Sequence, residues 1–282
     1  MHAGLSVTVV AVLLLASAQP ASGIAESLQE RGRTIGIIDG DTIRVDIWGD
    51  GTRTPVKVRF TGVNANEPGE CHAAAATSRT RGLALGRVTR LYAIDVESRS
   101  GERIRRTVHT RQSDGSFANL ARRLVGSSLA SVSPLADEWG RNREYRRLED
   151  RTKPLGRRIW DSNACGTGPQ PGIGIRLRVN VEGDQTRESV TITNRGTQTL
   201  RLGGWWVRNA SPSRYVFPSP TNVRPGRTLT LHAGIGSRRG LNHFWGARSE
   251  RFPDPSDDQR TIGGAAFLVD PDGDIRRSLR YP

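Results

Sequence analysis

The chain has 282 residues, a formal net charge of +14 and a hydrophobic content of 35%. This length is enough for two ordinary domains, and the composition excludes a chain that is mainly disordered. The charge favours a polyanionic partner such as nucleic acid, acidic glycan or anionic lipid. Compositional bias is the alternative, because 40 of the 42 basic residues are arginines, as in proteins from GC-rich genomes. The charge is split evenly, with net +7 in residues 26–165 and net +7 in the remainder.

The first 25 residues are expected to form a secretory signal peptide. The segment Leu5 to Ala18 is nearly all apolar, and small residues with a proline follow it. It is short for a membrane span, which favours a cleaved signal over a retained N-terminal anchor, the alternative. We therefore expect a secreted, extracellular and monomeric protein, without a stable membrane span after signal cleavage.

In residues 30–165 the predicted strands come first and most of the helices follow. Three early segments alternate with period two, which is typical of half-buried strands. An Ala-rich helix is predicted within Cys71–Val88, and amphipathic helices at Phe117–Gly126 and Asp137–Lys153. Five strands with inserted helices predict a small Greek-key barrel of the OB-fold type. The fold class is thus mostly β with helices.

Glycines and prolines crowd residues 166–173, which predicts a linker. Beyond it, short strand patterns recur with turn signals between them, and no helical pattern appears. Six or seven short antiparallel strands over residues 174–282 predict a β-sandwich of the immunoglobulin-like class.

The sequence contains two cysteines, Cys71 and Cys165. Cys71 begins the segment of the first predicted helix, and Cys165 follows the last predicted helix of residues 30–165. An even cysteine count in an exported protein favours a disulfide, with two free thiols as the alternative. The bridge would close a loop of roughly 95 residues and restrict the unfolded chain.

The segment "IDGDTI" raises the question of a functional site. Asp39-Gly40-Asp41 is a strong hairpin-turn signal, in which Gly40 would let the chain reverse, but its carboxylates also suit a ligand. Arg59 follows eighteen residues after Asp41, and Glu67 eight residues later, in "VRFTGVNANE". Together, and in this order over residues 30–162, these segments resemble the staphylococcal nuclease (thermonuclease-like) family.

The resemblance implies an endonuclease, a Ca²⁺-dependent phosphodiesterase that hydrolyses DNA and RNA with little sequence preference and leaves 3′-phosphates. It implies that Asp41 binds the Ca²⁺ ion and that Arg59 grips the scissile phosphate. It also implies that Glu67 positions or deprotonates the attacking water. Arg106 matches the second phosphate-binding arginine by its spacing to the later Asp-Gly turn, and Arg105 is the alternative.

One departure from the family pattern concerns the metal. Asn64 stands where the family usually has an aspartate, so this second ligand keeps a carbonyl oxygen and loses its charge. Two hypotheses remain open: a working secreted nuclease with loose metal affinity, or a nuclease-derived module that binds nucleic acid and cuts poorly. An extracellular surface or adhesion protein is a third. Retention of Asp41, Arg59 and Glu67 together favours the first.

The C-terminal region resembles a lamin-tail domain through "TITNRG", "LGGWWV", "YVFP" and "RPGRTLTL". The resemblance implies an immunoglobulin-like sandwich. Leu202, Trp206, Tyr215 and Phe217 are expected in its core. Trp205 has two interpretations: an exposed platform that stacks on a base or sugar, or a core or rim residue. No pattern in this region identifies its partner.

Overall fold

The computed structural model describes residues 26–166, 168, 170, 174–181, 187–210, 213–249, 251–252 and 262–281. The signal peptide expected at residues 1–25 lies outside this part of the chain. Most of the expected linker, 166–173, also lies outside it. The described chain is mostly β, with three α-helices and three short 3₁₀-helices.

The N-terminal part contains nine strands and the three α-helices. The strands are β1 (Ser27–Ile37), β2 (Thr42–Ile47), β3 (Val56–Phe60), β4 (Val63–Ala65), β5 (Val88–Ala93), β6 (Arg99–Ser100), β7 (Arg103–Arg111), β8 (Phe117–Asn119) and β9 (Ala130–Val132). The helices are α1 (Ala73–Ala84), α2 (Leu120–Gly126) and α3 (Asn142–Thr152). The 3₁₀-helices span Trp139–Arg141, Lys153–Leu155 and Arg158–Trp160.

Five of these strands pair into a closed ring. β1 pairs antiparallel with β2 and with β5, β2 with β3, and β5 with β7. A parallel pairing between β3 and β7 closes the ring. Alternate side chains on the strands point inward and form one apolar core with residues from all three helices, as the period-two pattern requires. This core includes Ile43, Phe60, Leu91, Val108 and Tyr145.

The described residues of the C-terminal part form ten strands. These are β10 (Ile175–Asn180), β11 (Ser189–Asn194), β12 (Leu200–Arg201), β13 (Trp206–Arg208), β14 (Arg214–Val216), β15 (Asn222–Val223), β16 (Thr228–His232), β17 (Asn242–Phe244), β18 (Ala265–Val269) and β19 (Ile275–Arg280). One sheet has the order β10-β11-β16-β17 and another has the order β14-β13-β18-β19. A shared apolar core lies between them, as the expected β-sandwich requires.

Three of the four residues expected in the sandwich core belong to it or pack against it. Leu202 and Phe217 are fully buried, and Tyr215 packs at the edge of the same core. Trp205 is also a core residue, so its interpretation as an exposed stacking platform is wrong. Trp206 is buried too, but on the other face of its sheet, so the expectation that it packs in the sandwich core is wrong.

That other side of the sheet packs against the N-terminal part. Trp206, Phe267 and Ile275 form an apolar cluster with Ile159, and Trp160 stacks on Phe267 with ring centroids 6.3 Å apart. The two parts of the chain are therefore joined by a buried apolar contact as well as by the connecting segment.

Within the described residues, no helix combines the length and the apolar character needed to span a membrane.

Candidate functional site

Asp41 lies in the turn between β1 and β2 and is buried. The turn packs tightly against α1 and β4. The Asp39 side chain accepts the Asp41 backbone N–H at 2.9 Å, and the Thr80 hydroxyl of α1 donates to the Gly40 carbonyl at 2.5 Å. A Cβ at Gly40 would lie 2.7 Å from the side chains of Ala65 and Ala76. Gly40 is therefore required by close packing. From the sequence, Gly40 is expected to let the chain reverse. Its backbone is not left-handed, so conformational freedom is not what requires a glycine here.

Asp41, Arg59 and Asn64 come together as the sequence predicts. Arg59 is paired with Thr42 across β2 and β3, so its guanidinium reaches the neighbouring Asp41 and forms an ion pair with Oδ1. Its Nη2 atom donates to Asn64 Oδ1 at 2.7 Å. The Ala65 backbone N–H donates to Asp41 Oδ2 at 2.6 Å. One arginine thus joins the two residues that were predicted as metal ligands.

Arg59 is 7% exposed, which is unusual for an arginine. Burial lowers its pKa to about 10, although nearby Asp39 and Glu67 act in the opposite direction. Arg59 still carries its charge at neutral pH. A buried and preoriented guanidinium binds a phosphate oxygen more strongly than one in water, because little solvent competes with it.

Glu67 belongs to the loop formed by residues 66–71, which follows β4. Its backbone N–H donates to the Glu70 carboxylate at 3.0 Å, and its carbonyl accepts the Glu70 N–H at 2.9 Å. Burial raises the pKa of Glu67 above the ordinary glutamate value, and nearby Asp39 raises it further while Arg59 lowers it. Glu67 is therefore close enough to Arg59 for their charges to interact, and its environment suits a proton acceptor.

Asn66, in the same loop, is a buried residue whose importance the sequence analysis did not identify. Its Nδ2 donates to the Cys71 carbonyl at 2.8 Å, which fastens both ends of the loop to each other. An asparagine directly before the candidate acid was visible in the sequence, but no spacing rule linked it to residue 71.

The two candidate second arginines have different environments. Arg106 is buried and its guanidinium donates to both oxygens of Glu30, at 2.8 and 2.9 Å, and to the Val96 carbonyl. None of these bonds goes to Asp41, Asn64 or Glu67. Arg105 pairs with Arg59 in the β3–β7 register, so both side chains lie on the same face of the sheet.

Arg105 and Arg103 both lower the pKa of Arg59, an effect that requires them to be near it. Arg105 also pairs with Asp137 at 3.5 Å, on the protein surface. Arg103 lines a cavity of about 330 Å³ with Thr42, which follows Asp41. The geometry therefore favours Arg105, the alternative in the sequence, over Arg106.

The sandwich contacts the 66–71 loop directly. Arg208 is buried, and its Nη2 donates to Asn66 Oδ1 at 3.4 Å. Burial lowers its pKa to about 10, opposed by nearby Glu70 and Glu67. Arg214 forms an ion pair with Glu70 at 2.8 Å. The residues that support Glu67 thus come partly from the C-terminal part of the chain.

The disulfide expected between Cys71 and Cys165 is confirmed, with Cα atoms 6.0 Å apart. The Asp274 carboxylate of the sandwich accepts the backbone N–H groups of Ala164 and Cys165 at 3.1 to 3.2 Å. Gly273 packs so closely on Cys71 that a Cβ there would lie 2.5 Å from its backbone nitrogen. The disulfide therefore lies in the contact between the two parts.

Asp41 and Asn64 supply the kind of oxygen ligand that Ca²⁺ prefers. The Arg59 guanidinium binds Asp41 Oδ1 and Asn64 Oδ1, so it would have to move away before these two oxygens could hold an ion. They supply a single formal negative charge, which is typical of low affinity.

A different group, formed by Cys71, His72 and Cys165, has ligand-type atoms within 4.8 Å of one another. Its two sulfurs are bonded to each other, so it is not a thiolate metal site.

The comparisons with known proteins bear on the C-terminal part. Residues 175–282 match the family model of the Lamin Tail Domain. The expected lamin-tail resemblance is confirmed over these residues. The match does not extend to residues 26–166, so the nuclease resemblance there stays a prediction. The search of curated proteins finds no match.

Proposed function

We propose that this protein is a secreted endonuclease that hydrolyses phosphodiester bonds of DNA and RNA, and that its N-terminal ring is an OB-fold barrel of the staphylococcal nuclease type. The observation that carries the proposal is the joining of Asp41, Arg59 and Asn64, with Glu67 near enough to change the pKa of Arg59. The resemblance to the staphylococcal nuclease family implied roles for these same residues before their positions in the fold were known. The ring β1-β2-β3-β7-β5 supports this assignment, because the OB-fold is a Greek-key barrel of five strands.

The proposed roles follow from charge. A phosphodiester accumulates negative charge on its non-bridging oxygens during attack, and the guanidiniums of Arg59 and Arg105 would stabilise it. The Glu67 carboxylate would orient a water molecule and accept its proton, which its raised pKa favours. Asp41 and Asn64 would hold the Ca²⁺ ion, which polarises the phosphoryl group when bound.

A catalytically weak binding module is the second candidate function. The observation that favours it is the present partner of Arg59: the guanidinium is engaged by Asp41 and Asn64. Unless Asp41 and Asn64 release the Arg59 guanidinium, the guanidinium cannot bind a phosphate through two parallel hydrogen bonds from Nη1 and Nη2.

The test is cleavage of labelled single-stranded DNA by the mature protein, with Ca²⁺ or with EGTA. We expect cleavage that requires Ca²⁺. Glu67→Gln and Arg59→Ala should each lower the rate about 10²- to 10³-fold, the usual effect of removing one preorganised charge at a reacting centre. Glu97→Gln and Arg53→Ala are matched controls, since both residues are exposed, and they should cut like the wild type.

Equal and negligible cleavage in Ca²⁺ and EGTA, with binding retained, would replace the nuclease by the binding module. Full activity in Glu67→Gln would show that the site is elsewhere.

A further inference from the structure

A second basic surface lies on the outside of the barrel. An open cavity of about 410 Å³ is lined by Arg31, Trp48, Arg90, Arg111 and Phe117, together with Val88 and Gly115. We refer to the first five of these residues as the Trp48 surface. Trp48 follows the C-terminal end of β2, and Asp41 precedes its N-terminal end. At about 3.3 Å per residue, seven residues of strand separate the two by roughly 23 Å, so the Trp48 surface is distinct from the candidate active site.

Strand pairing sets the members of the Trp48 surface side by side. The Trp48 backbone N–H donates to the Arg31 carbonyl at 2.8 Å, and Arg31 pairs with Arg90 across β1 and β5. Arg111 pairs with Phe117 across β7 and β8. The Arg90 guanidinium lies over the Phe117 ring, 3.8 Å from its centroid. Because strands are about 4.8 Å apart, basic and aromatic side chains alternate over a short distance.

The Trp48 surface carries three arginines and is therefore positively charged. Within the part of the chain that the structure describes, Arg31, Arg90 and Arg111 form no ion pair with a carboxylate. On the adjoining turn, Asp114 Oδ1 accepts the N–H and hydroxyl of Ser116, and this carboxylate keeps its negative charge. Trp48 is 50% exposed, although large apolar side chains are generally buried. An exposed aromatic ring beside arginines that lack carboxylate partners is the combination that binds single-stranded nucleic acid, through base stacking and phosphate contacts.

We propose that the Trp48 surface is a binding site for single-stranded nucleic acid, in which Trp48 stacks on a base and Arg31 and Arg111 contact phosphates. The Arg90 guanidinium covers one face of the Phe117 ring and adds a third positive charge to the surface. The proposal rests on the proposed function, since it assigns a second binding site for the same substrate. Binding at the Trp48 surface does not require that the candidate active site cleaves nucleic acid.

The test measures anisotropy of a fluorescein-labelled oligothymidylate as the full-length mature protein is added, in EGTA to prevent cleavage. Trp48→Ala should weaken binding about five-fold or more, the lower end of the range for one lost stacked base. Trp48→Phe should retain most of the affinity, because it keeps a stacking ring. Arg111→Ala should weaken binding and reduce the salt dependence, d log K/d log[salt], by about 0.7, the value for one phosphate contact to a single strand.

Arg224→Ala is the matched control, because it removes the same charge from an exposed position on the sandwich. It should leave both the affinity and the salt dependence nearly unchanged. If Trp48→Ala binds like the wild type while its melting curve is normal, the surface does not stack bases and the proposal is overturned. If Arg224→Ala weakens binding as much as Arg111→Ala, net charge alone is responsible, which also overturns it.

The measurement separates this proposal from the proposed function. If binding depends on Trp48 but no variant or wild-type protein cleaves DNA, the binding site stands and the nuclease assignment fails. If cleavage occurs and binding is independent of Trp48, the nuclease stands and the second site fails.

Discussion

Of the two residues predicted as metal ligands, Asp41 is charged and Asn64 is not, so residue 64 limits the charge of the candidate metal site. Asn64→Asp should lower the Ca²⁺ concentration needed for half-maximal cleavage, because Ca²⁺ affinity rises with ligand charge. The two side chains are nearly the same size, so the melting temperature should hardly change. Titration of Ca²⁺ against cleavage rate for both proteins makes the measurement. An unchanged half-saturation point would mean that residue 64 is not a ligand.

The two neighbouring arginines on β7 should separate activity from stability. Arg105→Ala should lower cleavage strongly and melting only slightly, because its side chain is partly exposed beside Arg59. Arg106→Ala should lower stability by about 1–3 kcal/mol, since it leaves Glu30 without its hydrogen-bond donors. Cleavage rates and urea unfolding of both variants give the comparison. The opposite pattern would return the second phosphate contact to Arg106.

The pKa of Glu67 makes cleavage depend on pH in a predictable direction. Burial and nearby Asp39 raise this pKa above the ordinary value of 4.5. A proton acceptor works only when ionised, so kcat/KM should rise with pH through the raised pKa, and the acid limb should lie above pH 4.5. The residual rate of Glu67→Gln should lack this limb. A wild-type limb at or below the ordinary value would show that Glu67 does not accept the proton.

At the scale of elements, sequence periodicity predicted the strands of the barrel better than the orientation of β7. Segments such as "TIRVDI" alternate clearly, and the structure buries their apolar face. In "RIRRTVHTR" arginines occupy both faces, so the pattern does not say which one points at β3. A shift of one residue moves every side chain to the other face, and only the pairing of Arg59 with Arg105 decides it.

The disulfide is an element-scale feature that the cysteine count did predict. Replacing Cys71 and Cys165 by alanine should lower stability by about 4–5 kcal/mol, because the bridge closes a loop of roughly 95 residues in the unfolded chain. Cleavage well below the melting temperature should remain, since the bond that holds Asn66 goes to the backbone carbonyl of Cys71. Thermal melts and cleavage assays of the double variant make the measurement. Two alkylatable thiols in native wild-type protein would contradict the bridge.

At the scale of the whole molecule, the sequence suggested two independent domains, because a Gly- and Pro-rich segment separates them. The structure instead packs the sandwich on the loop that carries Glu67. The contacts that do this join residues far apart in sequence, such as Asn66 and Arg208. Two arginines of the sandwich, Arg208 and Arg214, contact the 66–71 loop. Neither belongs to a motif that the sequence analysis identified, so no pattern in the sequence predicted the contact. The packing of Trp206 with Ile159, together with the hydrogen bonds from Ala164 and Cys165 to Asp274, brings these surfaces together.

This arrangement predicts that the sandwich supports catalysis through Glu70. The Glu70 carboxylate accepts the Glu67 backbone N–H and the Arg214 guanidinium, so Arg214 holds Glu70 where it fixes Glu67. Arg214→Ala should slow cleavage, between a few-fold and about a hundred-fold, because small displacements of a catalytic group are costly. The melting temperature should change little, since the pair is partly exposed.

Arg280→Ala provides the matched control, because it removes a different and also partly exposed ion pair between the same two parts, with Asp150. That pair joins β19 to α3 and includes no residue of the 66–71 loop, so its loss should leave the cleavage rate unchanged. The two variants should therefore have similar melting curves and different rates under saturating substrate. Equal rates would mean that the sandwich is joined to the barrel without orienting Glu67. A loss of activity in both variants would mean that general loosening of the contact, rather than the position of Glu70, controls the rate.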